Sequence, residues 1–180
     1  MYKPKPISSH LEQFEKLIPL TSGPIAEFGV FTGGSTVQLS KFGRPVYAFD
    51  TFEGMPFNTP YDPKNDFNNP PGKFKPSVSV IDSLNDYPNI ICVKGNFQET
   101  LPLFDSSIKF GFVYLDCDWY SSYIFVVKNL VRRVSFNAIA LVDDYFYCLG
   151  CKKAIDELDG HIVDFDKSCN VLTWRKKLMI

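Results

Sequence analysis

No run of apolar residues in the sequence approaches the roughly 18 that a membrane-spanning helix needs. The richest stretches, Tyr123 to Val127 and Ala138 to Val142, have the size of a buried strand or helix segment. The opening residues, Met-Tyr-Lys-Pro-Lys-Pro, hold no apolar segment of the kind that directs secretion. Charge of one sign is also missing: 19 Lys and Arg against 20 Asp and Glu leave a net charge of −1, which excludes a broad basic face for nucleic acid. Histidine is scarce, at two residues, and cysteine is odd in number, at five. No second cysteine pair or spaced histidines accompany Cys148-x-x-Cys151, so that pair reads as a packed helix start rather than a zinc or redox centre. These absences predict a soluble, cytoplasmic protein with buried free thiols and no membrane or nucleic-acid partner. What is present is core material: 45% hydrophobic and 16% aromatic residues over 180 positions suit one domain spanning residues 1–180.

Short β-rich apolar runs alternate with longer helical patterns, the signature of β-α-β units on a mostly parallel sheet. Strands are expected at Ile25–Val30, Pro45–Asp50, Asn89–Lys94, Ile108–Asp116 and Asn137–Asp143, and helices at Ser35–Phe42, Val78–Tyr87, Tyr120–Val134 and Leu149–Leu158. A short leader or helix, residues 1–24, precedes the first strand. At the other end, His161–Asp166 and Asn170–Arg175 are joined by so few residues that only an antiparallel hairpin fits. Gly54 to Pro76 breaks the alternation, with six of the 13 prolines and no periodicity. Leaving the end of the second strand, it reads as a lid loop over residues 54–76.

Two constellations carry chemistry. Glu27-Phe-Gly29-Val-Phe-Thr-Gly33-Gly34-Ser35 follows a strand and opens a helix. Its glycines permit a tight turn and close ligand approach, although strand-to-helix turns use glycine for their own sake. The spacing is not G-x-G-x-x-G, which weakens a pyrophosphate-binding reading. Glu27 suits a ligand with an ammonium group, such as the methionine end of S-adenosylmethionine, and Asp50, ending the second strand, suits the two hydroxyls of an adenosine ribose. The second constellation is Asp116-Cys-Asp118 with Asp143-Asp144, at the ends of the fourth and fifth strands. If those strands are neighbours, four carboxylates gather at one sheet edge and call for a cation. Hard oxygen donors without histidine point to Mg²⁺, Ca²⁺ or Mn²⁺.

Ala26-Glu-Phe-Gly-Val-Phe-Thr-Gly-Gly-Ser35, Phe49-Asp-Thr-Phe-Glu-Gly-Met-Pro56, Lys94-Gly-Asn-Phe-Gln-Glu-Thr-Leu-Pro102, Leu115-Asp-Cys-Asp-Trp-Tyr120 and Val142-Asp-Asp-Tyr145 resemble, in this order, the macrocin O-methyltransferases. The resemblance spans roughly residues 25 to 160. It implies a Rossmann-like class I methyltransferase sandwich, α/β, with a mostly parallel seven-stranded sheet closed by the C-terminal antiparallel hairpin. It implies an S-adenosylmethionine-dependent O-methyltransferase, assisted by a divalent metal such as Mg²⁺, acting on a hydroxyl of a sugar or other diol-bearing small molecule. By the same resemblance Glu27, Gly29 and Ser35 hold the methionine portion, Asp50 the ribose, and Thr51 and Phe52 flank the adenosine. Asn96 and Phe97 lie near the adenine, Asp116, Asp143 and Asp144 ligate the metal, and Asp118 is the general base. A homo-oligomer fits the family. The chain departs from it after Tyr120, where Ser121-Ser122-Tyr123 replaces the usual acid and threonine.

Two alternatives stand beside this reading: a metal-dependent glycosyltransferase using Asp116-Cys-Asp118, and a methyltransferase-like binding subunit without catalysis. His10 and His161 are expected at the surface or as caps. Trp119, Tyr145 and Tyr147 either wall an acceptor pocket or belong to the core.

Overall fold

The computed structural model describes residues 10–56, 72–76 and 79–175. Among these residues seven strands form one sheet: β1 Ile25–Phe28, β2 Val46–Asp50, β3 Ile90–Lys94, β4 Phe110–Leu115, β5 Val134–Val142, β6 Val163–Asp166 and β7 Val171–Trp174. Their order is β3-β2-β1-β4-β5-β7-β6. The first five run parallel, and β7 pairs antiparallel with both β5 and β6. The expected hairpin is therefore present, with its second strand inserted against β5.

Among the described residues six helices cover the sheet: α1 Leu11–Leu17, α2 Gly34–Ser40, α3 Val80–Leu84, α4 Phe97–Leu103, α5 Tyr120–Leu130 and α6 Leu149–Leu158. A 3₁₀ turn, Ile18–Leu20, follows α1. The helices segregate onto two apolar cores. One gathers Phe28, Phe49, Phe110 and Val113 with α5 and α6; the other gathers Ile25, Val46, Phe112 and Tyr114 with Phe14, Val37 and Leu84 from α1, α2 and α3. Central strands β1 and β4 are buried along their whole length, as sheet covered on both faces requires. α5 buries Ser122, Tyr123, Val126, Val127 and Leu130, and α6 buries Gly150, Cys151, Ala154, Ile155 and Leu158, each a single helical stripe.

The largest departures from the sequence expectation are the junction of α5 with β5 and an added helix, α4. β5 begins at Val134 rather than Asn137, because Val134 pairs with Phe110 across a register shift at Gly111, and α5 accordingly stops at Leu130. α4 was not expected, since Pro102 interrupts its pattern; Leu101, fully buried, anchors it. Inside the leader, α1 docks by Phe14 edge-on to Phe112 and Tyr114 at 6.0 and 5.1 Å. The central part of the expected lid, residues 57–71, lies outside the described residues; at its base Met55 and Gly72–Lys73 exchange backbone hydrogen bonds of 2.7 and 2.8 Å. Cys117, Cys148 and Cys151 are buried, as expected, whereas Cys92 is half-buried and Cys169 exposed. Among the described residues no helix is long and apolar enough to cross a membrane.

Candidate active site

The strand order reverses direction at β1, which lies between β2 and β4, and open α/β sheets bind ligands at the carboxyl ends of strands beside such a point. A cleft of about 810 Å³, partly open to solvent, occurs there. Gly29, Asp50, Thr51, Asn96, Phe97, Asp116 and Asp118 line it together with Phe31, Phe74 and Gln98. The main chain leaves β1 through Gly29 at φ +96°, where any Cβ would collide with the Asp116 carbonyl oxygen. Glycine is therefore required by close strand packing as well as by the turn.

Asp50 fastens the turn after β1 to the end of β2. Its Oδ2 accepts from the N–H groups of Val30 and Phe31 at 2.7 and 3.1 Å, and its Oδ1 accepts from the Phe52 N–H at 2.7 Å. Phe31, Phe52, Phe74 and Asp118 all take left-handed backbone conformations, φ +49° to +61°. Such conformations cost of order 1–3 kcal/mol each in a bulky residue and cluster where a site dictates the backbone. Phe31 and Phe74 meet edge-on at 5.4 Å, linking the glycine turn to the far end of the 54–76 loop. Phe97 packs edge-on against Phe28, which stacks on Phe49 at 4.6 Å.

Glu27 and Ser35 do not line the cleft. Glu27 is fully buried, and both its oxygens accept hydrogen bonds from Ser35 and Thr36 at the start of α2. Burial pushes its carboxyl up to about 8, only partly offset by the two hydroxyls.

β4 and β5 are neighbours, with Leu115 opposite Val142, so the acids that follow them converge as expected. Asp116, Asp143 and Asp144 each offer an oxygen within 4.8 Å of the others. Asp118 joins through its backbone N–H, which donates to Asp144 Oδ2 at 3.2 Å. Burial, then the neighbouring carboxylates, raises Asp116 well above the usual carboxylate range and Asp144 to about 8. Burial and Asp143 raise Asp118 to about 6, opposed by Lys73. Asp143 goes the other way: burial raises it, but hydrogen bonds from His10 and Tyr114 outweigh that and hold it below its ordinary value.

His10 was expected at the surface or as a cap. It occupies the N-cap position of α1 without a side-chain cap bond, and its Nε2 sits 2.8 Å from Asp143 Oδ1. Tyr114 was not singled out, being hidden in an apolar run, and Tyr123 was noted only where the chain departs from the family after Tyr120. Burial keeps both phenols protonated; Tyr114 donates to Asp143 Oδ1 at 2.8 Å, and the Tyr123 hydroxyl lies 3.1 Å from Asp144 Oδ2. Trp119 and Tyr145 belong to the core and Tyr147 is exposed.

The strand order and the antiparallel β7, with a cleft at the carboxyl ends of β1 and β2 and an acid ending β2, give the chain the fold of the class I methyltransferases. The chain belongs to the macrocin O-methyltransferase (TylF) family, matching it over residues 14–163, and is an S-adenosylmethionine-dependent O-methyltransferase. That membership leaves the glycosyltransferase alternative without support. No curated protein matches the sequence. Among solved structures, CalS11, a calicheamicin methyltransferase, superposes with a TM-score of 0.74 at 19% identity, over 83% of this chain and 70% of its own. The O-methyltransferase NovP superposes with a TM-score of 0.70 at 22% identity, over 93% of this chain and 79% of its own. Both share the fold.

Proposed function

We propose that this protein, acting as one domain in the cytoplasm, methylates a hydroxyl of a sugar or other vicinal diol with the help of a divalent metal, most simply Mg²⁺. The observation that carries this reading is that Asp116 and Asp118 line the same cleft as Asp50, so the acid cluster borders the space suited to the donor. One structural neighbour, CalS11, is a TDP-rhamnose 3'-O-methyltransferase, which supports a sugar acceptor.

The donor set fits a hard dication. Three carboxylates converge within 4.8 Å and two of them are driven toward their neutral forms, a cost that a cation relieves. Asp116, Asp143 and Asp144 would hold the ion, which when bound supplies Lewis acidity that eases loss of a hydroxyl proton. The chain does the rest. Asp50 and the backbone turn after β1 hold the adenosine end of the donor, with Thr51, Phe52, Asn96 and Phe97 around it, while Gly29 admits the methionine portion. Glu27, buried in β1, and Ser35, at the buried start of α2, bond each other beneath that portion and brace the turn that holds it. Transfer is an in-line displacement: the acceptor oxygen bonds the methyl carbon as the carbon–sulfur bond breaks, leaving a neutral thioether. Alignment of donor and acceptor therefore supplies most of the rate. Asp118, raised to about 6, is ionised at neutral pH and close enough to its midpoint to take the hydroxyl proton as a general base.

The test is a mass-shift screen of candidate diols with S-adenosylmethionine and Mg²⁺, with and without chelator. Asp116→Asn and Asp143→Asn are expected to abolish metal-stimulated transfer while leaving donor binding mostly intact. Full activity of those variants in chelator would refute the metal role. Donor binding with no methylated product from any diol would favour a binding subunit instead.

A further inference from the structure

His10 and Asp143 stand 133 positions apart in sequence and meet because α1 packs on the sheet face that also carries Tyr114. Two nitrogen and oxygen donors converge on one atom: His10 Nε2 and Tyr114 Oη each lie 2.8 Å from Asp143 Oδ1. The imidazole is itself braced, with its Nδ1 3.4 Å from the Tyr114 hydroxyl and its ring 5.6 Å from the Tyr114 ring. His10 and Asp143 side chains are both about four-fifths shielded from solvent, so the contact is not a loose surface pairing. His10 is not part of the converging oxygen set formed by Asp116, Asp143 and Asp144.

Resting on the metal-assisted reading above, we propose that His10 is a positioning residue: it pins the Asp143 carboxylate by Oδ1 so that Oδ2 stays available to a divalent ion shared with Asp116 and Asp144. Besides its neighbour Asp144, the Asp143 carboxylate is held by Tyr114 and His10; two donors on the same oxygen, from separate elements, fix its plane. Outer partners that orient a ligating group in this way commonly change metal affinity by about 10–100-fold when removed. α1 thereby becomes part of the site through one side chain, although it contributes nothing to the cleft lining.

The experiment is Mn²⁺ binding by electron paramagnetic resonance on the full chain, without donor or acceptor, beside donor binding by calorimetry. His10→Ala is expected to weaken Mn²⁺ binding about 10–100-fold and to leave donor affinity within about twofold. His10→Gln, which keeps an N–H donor, is expected to recover most of the loss. Leu17→Ala loosens α1 through its apolar packing without touching Asp143 and is expected to lower the melting temperature while leaving Mn²⁺ affinity near wild type. Unchanged Mn²⁺ affinity in His10→Ala would overturn the role, as would a Leu17→Ala loss equal to that of His10→Ala. A wild-type protein that takes up no Mn²⁺ would overturn the metal reading and this role with it; normal wild-type uptake with an indifferent His10→Ala would overturn this role alone.

Discussion

Replacing Glu27 with Gln is expected to make the protein less sensitive to alkaline pH. Glu27 is fully buried in β1 between strands on both sides, and burial moves its half-protonation point from 4.5 to about 8. The folded value lies above the unfolded one, so between those two pH values the folded chain keeps a proton that the unfolded chain has released. Its contribution to stability is complete below about pH 4.5 and is lost as pH rises through about 8. At about 1.4 kcal/mol per pH unit, the loss by pH 8 amounts to roughly 4–5 kcal/mol from this one side chain. Glutamine has the shape of the protonated acid and keeps one acceptor for the Ser35 or Thr36 hydroxyl, but it has no charge to bury. Urea unfolding of ligand-free wild type and Glu27→Gln in chelator at about pH 5, 7 and 9 measures the difference directly. The two are expected to agree within about 1 kcal/mol at the acid end, and the variant is expected to gain about 3–5 kcal/mol on wild type by the alkaline end. A stability difference that stays flat across this range would show that Glu27 ionises freely and would refute the reasoning.

Gly29→Ala forces a Cβ into the Asp116 carbonyl at φ +96° and is expected to cost more than about 3 kcal/mol in chemical unfolding; a loss under about 1 kcal/mol would mean that β1 and β4 can part there. Asp50→Asn removes the charge that accepts three backbone N–H groups and is expected to cost about 2–3 kcal/mol of stability. Calorimetry on the same variant is expected to show donor affinity reduced by about tenfold or more, and wild-type affinity would remove Asp50 from the donor site.

What could be read from the sequence followed from local pattern and neighbouring strands. The acid cluster was legible because Asp116 and Asp143 each end an apolar run, and the adjacency of those runs is the ordinary outcome of β-α-β winding. The hairpin was legible from the shortness of its link. The early start of β5 was not: Ser135, Phe136 and Asn137 are half-buried or exposed, and their strand conformation comes from pairing Val134 with Phe110. α4 was hidden by Pro102, and its hold on the fold is the long-range burial of Leu101 and the packing of Phe97 on Phe28. His10 looked like surface because its surroundings in sequence are polar, while its partner Asp143 lies 133 positions further along the chain. The roles of Glu27 and Ser35 were pictured as direct ligand contacts, whereas their side chains bond each other inside the protein.

Leu115 and Val142 face each other in the ladder, and the Asp143 N–H donates to the Leu115 carbonyl at 2.9 Å. The gap between the two acids that follow is thus ruled by the main-chain spacing of parallel strands, about 4.8 Å, and hardly at all by the loops beyond. Side chains that do not set this spacing can then be exchanged to retarget the enzyme toward another acceptor, with the reactive ruler left at its original length.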